Sequence, residues 1–266
     1  MGRVEDEKVT VDNRACNALR GQPRVMPEEV TKKRDSLRLK QVHKRSGDVN
    51  SATRSLLKES LATKLREEIL AGRIAPGEKI TEGRWARQFG VAQVSIREAL
   101  NILTADGYVT KGHGRSARVL KLRDPDIIHI YQVRGALEGL AARLTVERRV
   151  PVDDLESAMV ALREAVETND VRKVVERVQH FHVCLLEKPG NPILREHGRR
   201  VVIPLYAFTL MRALAKNLDA SPWALQLGNH QRIIDAIHMR NPHVAEQVVV
   251  HVINLFLESA LKVWAH

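Results

Sequence analysis

Apolar residues between positions 57 and 72 recur with the spacing of one helix face. The residues on this face lie four positions apart: Leu57, Leu61, Leu65 and Ile69. Because an α-helix has about 3.6 residues per turn, side chains at this spacing line one side and can pack on a core. Gly72 follows the last of them, and glycine after a periodic segment typically ends a helix. The pattern therefore predicts a first helix that ends near Gly72.

Two further helices are predicted after a turn at residues 73–78, which contain Pro76 and Gly77. The second runs from about Thr81, as N-cap, to Phe89, and Gly90 ends it. The third covers about residues 93–105. Its predicted buried face consists of Ile96, Ala99, Leu100 and Leu103, with Gln93 and Arg97 on the opposite face. Two helices joined by a short glycine-containing turn are typical of a helix-turn-helix, whose second helix enters the major groove of DNA.

A β-hairpin is predicted after the third helix. Residues 108–110 and 118–120 are short β-prone runs, and the intervening residues 111–116 are basic and rich in glycine. This pattern indicates a wing with a flexible basic tip, which would complete a winged helix-turn-helix.

Every segment after Asp124 has a helical pattern. We predict helices near 125–148, 152–168, 170–187, 192–217, 222–240 and 242–264. Asp124–Pro125, Ser221–Pro222 and Asn241–Pro242 each offer an N-cap followed by proline, whereas Pro204 should kink the fourth helix. The predicted fold is mainly α: an N-terminal winged helix-turn-helix, with three helices and a small β-hairpin wing, followed by an all-α helical bundle. The predicted domains are a flexible basic arm over 1–50, a DNA-binding domain over 51–123 and the helical domain over 124–266.

The excess of basic charge lies in the N-terminal half of the chain. Lys and Arg outnumber Asp and Glu by 43 to 32; residues 1–123 contain 26 basic and 15 acidic side chains, and residues 124–266 contain 17 of each. Localised basic charge favours a polyanion as partner, because Lys and Arg that meet phosphates release condensed counterions. The basic residues of the arm either follow DNA phosphates or are simply solvated.

Other features of the sequence favour a soluble protein of the cytoplasm. The sequence contains no unbroken run of about 18 apolar residues, the length needed to span a bilayer. The N-terminus also lacks the apolar core of a signal peptide. The two cysteines, Cys16 and Cys184, are too few for a disulfide framework. We therefore expect no membrane association.

Several segments carry a resemblance to a known family. The sequence resembles the winged helix-turn-helix of GntR-family transcriptional regulators at residues 67–77, 80–82, 88–91 and 96–100. The FCD effector domain of the FadR subfamily is similar to residues 134–142, 181–182, 191–194 and 230–237. The first resemblance covers about residues 55–120, and together the two span most of the chain.

The resemblance implies DNA contacts from the start of the recognition helix and from the wing tip. The candidate DNA-binding residues are Arg84, Arg87, Gln93, Ser95, Arg97, His113, Gly114 and Arg115. Gln93 can pair with an adenine edge, where the family commonly has an arginine that favours guanine. Ala92, Val94 and Ser95 depart from the family's usual Ser or Thr, Thr and Pro.

Arginine and histidine residues of this set also have interpretations that involve no DNA contact, and these remain open. Arg97 is either a DNA contact or a surface charge paired with Glu98 or Asp106. Arg84 and Arg87 either neighbour phosphates or are solvated. His113 either enters the minor groove or is only a turn residue.

The resemblance also implies a ligand site in the helical domain. Many FCD domains bind a divalent metal through one Asp and three His, and His182 and His230 match two of these positions. The Asp position falls on Val178 and the last His position on Val252, although a shift of one residue in the final helix would place His251 there. Because the Asp is missing in either alignment, a divalent metal such as zinc would find an incomplete ligand set. The other interpretations are a metal-free pocket in which Arg134, His182 and His230 bind an anionic effector, or histidines of a helical core. Arg134 can also pair with Glu138 on the same helix.

Together these patterns predict a homodimeric transcriptional regulator that binds an operator and responds to a small carboxylate. The resemblance favours a repressor, since repression is the commoner mode of regulation in the family. One alternative is a DNA-binding protein that needs no effector. A second alternative, an enzyme that uses the histidines or a metal, finds little support, because no nucleophile with a matched base and no phosphate-binding glycine loop occur.

Overall fold

The computed structural model describes residues 55–111 and 116–264. Their fold is mainly helical with one small antiparallel sheet, which confirms the predicted fold class. The N-terminal elements are, in order, α1 (55–70), β1 (Lys79–Ile80), α2 (Glu82–Phe89), α3 (Gln93–Ala105), β2 (Val109–Lys111) and β3 (Ala117–Val119). The predicted arm over 1–50 and the wing tip, residues 112–115, lie outside the described residues.

Helix α1 buries most of its predicted face. Leu61, Leu65 and Ile69 are buried, whereas Leu57 remains 41% exposed, so the first turn of the helix lies outside the core. Gly72 follows in the left-handed region, with φ of 73°, as expected for a residue that ends a helix.

The two helices of the helix-turn-helix begin and end close to where they were predicted. Thr81 is the N-cap of α2, although its side chain makes no capping hydrogen bond, and Gly90 ends α2 with φ of 65°. Because glycine lacks a Cβ, it adopts this left-handed conformation without strain, and α3 starts three residues later. The residues that α3 buries are the four predicted ones: Ile96, Ala99, Leu100 and Leu103.

The wing belongs to a three-stranded sheet with the order β1-β3-β2. The predicted hairpin pairs β2 with β3, with Val109 opposite Val119. Strand β1 was not predicted: Lys79 and Ile80 pair with Arg118 and Ala117 of β3 directly after the turn at Gly77. A two-residue strand carries no sequence period of its own, so only its pairing with a distant segment defines it.

The C-terminal elements form a helical bundle. They are α4 (Asp124–Glu147), α5 (Asp153–Glu167), α6 (Val171–Glu187), α7 (Pro192–Ala215), α8 (Ser221–Ala224), α9 (Leu227–His238) and α10 (Pro242–Trp264). The predicted N-cap Asn241 is confirmed, since its Oδ1 accepts hydrogen bonds from the amides of His243 and Val244. Asp124 and Ser221 are instead the first residues of their helices, one position after the actual N-caps.

The predicted helix over 222–240 is wrong, because the chain forms two helices, α8 and α9. Between them the amide of Gln226 donates to the carbonyl of Trp223, three residues back, which is a tighter turn than an α-helix makes. The carbonyl of Gln226 accepts from the imidazole of His230. This break therefore positions a candidate ligand-binding histidine.

Helix α10 packs along α4 in the core of the bundle. Its buried face consists of Ala245, Val249, Val252, Ile253 and Phe256. Among the described helices it alone reaches the length and mean hydropathy of a membrane-spanning segment, over Pro242–Lys262. One face of this helix packs on α4, and a single such helix is weak evidence of a membrane span.

The helical bundle contacts the N-terminal elements at Gly107 and at Glu67, among other places. Gly107, which lies between α3 and β2 with φ of 79°, packs so closely on α7 that an added Cβ would lie 2.6 Å from the Cα of Pro204. The carboxylate of Glu67 on α1 accepts two hydrogen bonds, of 2.9 and 3.1 Å, from the guanidinium of Arg172 on α6.

Candidate DNA-binding surface and ligand-binding cavity

An open groove lies between the N-terminal ends of α2 and α3 and the sheet. Its volume is about 740 Å³, and its lining includes Lys79, Thr81, Glu82, Gln93, Arg97 and Lys111. The side chains at the start of a recognition helix read base edges. The groove therefore presents the predicted reading residues on one face.

Arg97 and Glu82 form a bidentate ion pair across this groove. Nε of Arg97 lies 3.0 Å from Oε1 of Glu82, and Nη2 lies 2.8 Å from Oε2. The hydrogen bond and the charge of Glu82 raise the pKa of Arg97. The structure therefore corrects the alternative in which Arg97 pairs with Glu98 or Asp106, and Asp106 pairs with Arg66 instead.

The other predicted DNA-binding residues of the described chain lie on the same surface. Arg84, Arg87 and Gln93 are exposed, and Ser95 is half-buried. Arg84 lies 3.8 Å from Glu78, a loose ion pair that leaves the side chain 62% exposed. His113, Gly114 and Arg115 lie outside the described residues, so their predicted groove contacts stay predictions.

Three charged or titratable side chains form a buried network between α4 and α6. Nε of Arg134 lies 2.5 Å from Oε1 of Glu138, and Oε2 of Glu138 lies 2.7 Å from Nδ1 of His182. All three side chains are fully buried. Residues 134 and 138 face each other because they are one helical turn apart, and His182 reaches them from the neighbouring helix.

Aromatic rings enclose this network. The guanidinium of Arg134 lies 5.2 Å from the ring centre of Tyr131, 5.3 Å from that of Tyr206 and 5.8 Å from that of Phe256. The hydroxyls of the two tyrosines interact with the same guanidinium, but no hydrogen bond of acceptable geometry joins them to it. Arg134 is therefore held by cation–π contacts and by Glu138.

His230 on α9 adds a second imidazole. Its ring centre lies 5.2 Å from that of His182 and 4.7 Å from that of Phe256. Nδ1 of His230 lies 2.9 Å from the carbonyl oxygen of Gln226. The structure therefore brings the three predicted effector-binding residues, Arg134, His182 and His230, into one cluster.

Burial and the charge of Arg134 keep both histidines neutral near pH 7. Burial and then Arg134 lower the pKa of His182 to about 4, and the charge of Glu138 opposes this only in part. Burial and then His182 lower the pKa of His230 to about 3. Burial is the largest single influence on Glu138 and would raise its pKa, but the charge of Arg134, the interaction with His182 and the hydrogen bonds from both residues together hold that pKa below its usual value.

A cavity of about 60 Å³ lies beside His230. Its walls are mostly aromatic or apolar, and its polar lining comes from Thr209, Gln226, His230 and Ser259. Four buried nitrogen atoms in this cluster have no hydrogen-bond partner among the described residues: Nη1 and Nη2 of Arg134, Nε2 of His182 and Nε2 of His230. Because such atoms are costly when unpaired, they mark a place where a ligand or water can bind.

The side chains around His182 and His230 do not fit a metal ion. Val178 and Val252, at the positions that carry the family's Asp and last His, are buried apolar side chains, and His251 is exposed. Within 55–111 and 116–264, no group of three or more His, Cys, Asp and Glu side chains could hold a metal. Two neutral imidazoles beside an arginine are a poor cation site.

Comparison with protein families identifies the class of protein that this architecture defines. Residues 57–119 match the model of bacterial regulatory proteins, gntR family, and residues 129–255 match the FCD domain. The "Uncharacterized HTH-type transcriptional regulator in the TAR-I ttuE-ttuC' intergenic region" of Agrobacterium vitis is 31% identical over 127 residues, which cover 46% of this chain and 74% of that protein. The chain therefore belongs to the GntR family of DNA-binding transcriptional regulators, and such proteins are not enzymes.

Individual relatives agree with this assignment. The "Probable D-xylose utilization operon transcriptional repressor" of Paenarthrobacter nicotinovorans is 25% identical over 216 residues, which cover 79% of this chain and 93% of that protein. The solved structure of E. coli McbR/YncC has a TM-score of 0.60 at 17% identity and covers 77% of this chain and 97% of that one. This structure shows that the two proteins share a fold.

Sequence reasoning missed two functional neighbours in these sites. Glu82 lies fifteen residues before its partner Arg97, and Glu138 lies on a different helix from His182. Glu138 was considered only as a partner of Arg134. No local pattern signalled the second partner of Glu138, because His182 lies 44 residues further along the chain.

Proposed function

We propose that the chain is a homodimeric repressor of the cytoplasm that binds a palindromic operator and whose DNA affinity changes when a small carboxylate binds to the helical domain. The localised basic charge and the exposed groove support the DNA-binding part. Two recognition helices of a dimer would read half-sites about one helical turn, or about 34 Å, apart.

The proposed DNA contacts divide by chemistry. Arg97 and Gln93 read base edges from the start of α3, Ser95 supports them, and Arg84 and Arg87 lie near phosphates. In the free protein Glu82 holds Nε and one Nη2 proton of Arg97, and on DNA binding a base edge would replace Glu82 as the partner of the guanidinium. The wing residues His113, Gly114 and Arg115 would follow the minor groove.

The unpaired buried nitrogens around the cavity carry the effector part of the proposal. Nη1 and Nη2 of Arg134 are a pair of donors that suits a carboxylate bidentately. The three aromatic rings around Arg134, those of Tyr131, Tyr206 and Phe256, also line the cavity. A carboxylate that enters the cavity therefore reaches Arg134 once these rings shift.

Helix α7 supports a coupling between the two sites. It contributes Tyr206 and Thr209 to the cavity, and two residues before Tyr206 its Pro204 packs against Gly107. Gly107 lies two residues after α3, the candidate recognition helix, and two residues before β2. A ligand that moves Tyr206 would change the contact between Pro204 and Gly107. Such a ligand shifts the DNA affinity if it binds the DNA-binding conformation of the protein and its alternative conformation with different affinities.

A selection from random duplex DNA with the purified full chain tests the first part of the proposal. We expect an enriched palindromic sequence that binds at least about a thousandfold more tightly than scrambled DNA at moderate salt. Equal affinity for every sequence would contradict specific regulation.

The selected operator then tests the effector. A panel of small carboxylates should contain a compound that raises the melting temperature and changes operator affinity, because a ligand specific for the folded state stabilises it. Arg134→Met should remove this response, and His251→Leu, at an exposed site, is the matched control. If no compound of the panel changes the operator affinity, the result would favour the alternative of a DNA-binding protein that needs no effector.

A further inference from the structure

Val94 is an exposed apolar side chain in the first turn of α3. It is 46% exposed and lies between Gln93, which is exposed, and Ser95, which is half-buried. Two residues along an α-helix correspond to a rotation of about 200°, so Val94 points nearly opposite to Ile96, which is fully buried. The first turn of α3 therefore points an apolar side chain directly away from the core.

The polar neighbours of Val94 lie to one side of it, against α2. A Cβ added to Gly83 of α2 would lie 3.4 Å from Nε2 of Gln93, so the amide group of Gln93 lies over this glycine. The guanidinium of Arg97 also reaches α2, where it is paired with Glu82. Gln93 and Arg97 are therefore held on the side of α3 that faces α2, and Val94 lies beside them on the outward side.

This position is the one at which DNA should approach the protein. A single exposed valine is common on protein surfaces, but α2 and α3 form a helix-turn-helix, in which the start of the second helix meets base edges in the major groove. Lys79 and Lys111 line the groove beside it. These two cations can hold phosphates while the first turn of α3 approaches the bases.

The chemistry of valine restricts what Val94 can contact there. Its side chain neither donates nor accepts hydrogen bonds, so over a polar base edge it would displace water without replacing the lost hydrogen bonds. In the major groove only thymine presents an apolar group, its C5-methyl. A β-branched side chain also has one strongly preferred rotamer in a helix, so the methyl groups of Val94 have a fixed position relative to α3.

We propose that Val94 reads the C5-methyl group of a thymine in each half-site of the operator. This inference rests on the proposed function, because it requires a specific operator. Side chains three residues apart on a helix lie about 5–6 Å apart, which corresponds to one or two steps of about 3.4 Å along a DNA strand. The thymine should therefore lie within about two base pairs of the position that Arg97 contacts.

Replacement of thymine by deoxyuridine tests this inference, because it removes only the C5-methyl group and leaves the pairing with adenine intact. Each thymine of one half-site of the selected operator is replaced in turn, and fluorescence anisotropy measures the affinity of the full chain at a fixed salt concentration. We expect one replacement to weaken binding about three- to fivefold, the effect of one methyl group that is no longer buried. The other replacements should have little effect.

Two matched variants show whether Val94 is responsible. Val94→Ser removes the apolar contact, and we expect this variant to bind the thymine and deoxyuridine operators equally well. Val160→Ser is the control, since Val160 lies on α5 and is 55% exposed. It should keep the full sensitivity to the deoxyuridine replacement. Both variants should have the melting temperature of the original chain, because both side chains are exposed.

A selection from random duplex DNA with Val94→Ser provides a second readout. We expect the enriched sequence to lose its preference for thymine at the position found with deoxyuridine and to keep its other preferred bases. Retention of this thymine preference by Val94→Ser would contradict the inference.

The outcomes separate this inference from the proposed function. If the original chain selects an operator but no deoxyuridine replacement weakens binding, Val94 reads no methyl group and specific DNA binding stands. The same conclusion follows if one replacement weakens binding equally in the original chain and in Val94→Ser. A preference for A·T pairs that depends on DNA shape would survive every replacement and would also overturn the inference. If no sequence is selected at all, the proposed function itself is contradicted, and the inference with it.

Discussion

The same pair of side chains, arginine and glutamate, occurs in two opposite surroundings in this protein. Arg97 and Glu82 lie on the candidate DNA-binding surface, where their side chains are 59% and 27% exposed. Arg134 and Glu138 lie between α4 and α6, where both are fully buried. Water competes for the first pair and is excluded from the second.

The difference explains what each pair can do. An exposed ion pair contributes about 0–1 kcal/mol, so phosphates or bases can replace it at little cost. A buried pair stabilises little when intact, but the removal of one partner leaves an uncompensated charge. The first pair suits a surface that exchanges partners with DNA, and the second suits a fixed frame for a ligand site.

The largest expected effect comes from breaking the buried pair. Glu138→Gln should lower the free energy of unfolding by about 3–5 kcal/mol, because Arg134 then lies buried without a counter-charge. Denaturation in urea measures this loss. Arg134→Met combined with Glu138→Leu should recover much of the stability, and a single variant as stable as the original chain would contradict the account.

The second-largest expected effect is the loss of stability in acid, which comes from the buried histidines. The pKa values of His182 and His230, about 4 and about 3, lie below the ordinary value of 6.5. Between these values and 6.5 the unfolded chain binds more protons, so stability is complete above pH 6.5 and falls as the pH falls toward 4. At about 1.4 kcal/mol per pKa unit, His182 alone accounts for about 3 kcal/mol.

Urea denaturation at several pH values checks this dependence. His182→Gln should have a flatter profile between pH 6.5 and 4 than the original chain, since general carboxylate titration is common to both. Parallel profiles would show that His182 does not contribute.

The contact between the two regions gives the third prediction. Gly107→Ala should cost about 2 kcal/mol or more, because the new Cβ combines a left-handed conformation with overlap on Pro204. Gly72→Ala is the matched control: its φ is 73° and nothing lies within 4 Å of an added Cβ. A larger thermal destabilisation in Gly72→Ala than in Gly107→Ala would refute the close contact.

The sequence allowed some of this structure to be predicted because local patterns determine it. Helix α3 was predicted at its actual ends, since Ile96 and Leu100 give the helix period and Gly90 ends the preceding helix. The fold class followed from these helical patterns, whereas the candidate cluster of Arg134, His182 and His230 followed from the family resemblance.

The remaining features depend on contacts between distant residues. Strand β1 exists only because Lys79 and Ile80 pair with β3. The bond between Glu138 and His182 joins residues 44 positions apart, and no period along the chain encodes it.

On the DNA-binding surface we expect smaller effects that concern binding rather than folding. Arg97→Ala should weaken operator binding by about 1–3 kcal/mol, or about 5- to 150-fold, through loss of a base contact. Fluorescence anisotropy with labelled operator measures the affinity. The melting temperature should stay within about 2 °C, since the side chain is exposed, and a folding defect would contradict the surface role.

The smallest expected effect is that of Glu82→Gln on stability. Because the pair with Arg97 is exposed, the free energy of unfolding should change by less than about 1 kcal/mol, against about 3–5 kcal/mol for Glu138→Gln. Urea denaturation of the two variants side by side makes the comparison directly. Similar losses would remove the distinction between the two pairs.

The most direct test of DNA reading by this surface combines protein and DNA variants. The affinities of the original chain and of Arg97→Ala are measured against the selected operator and against operators with single base-pair changes. We predict one position at which a change costs the original chain about 1–3 kcal/mol and costs Arg97→Ala almost nothing. If Arg97→Ala weakens binding equally for every operator, Arg97 reads no base, and the account of this surface is contradicted.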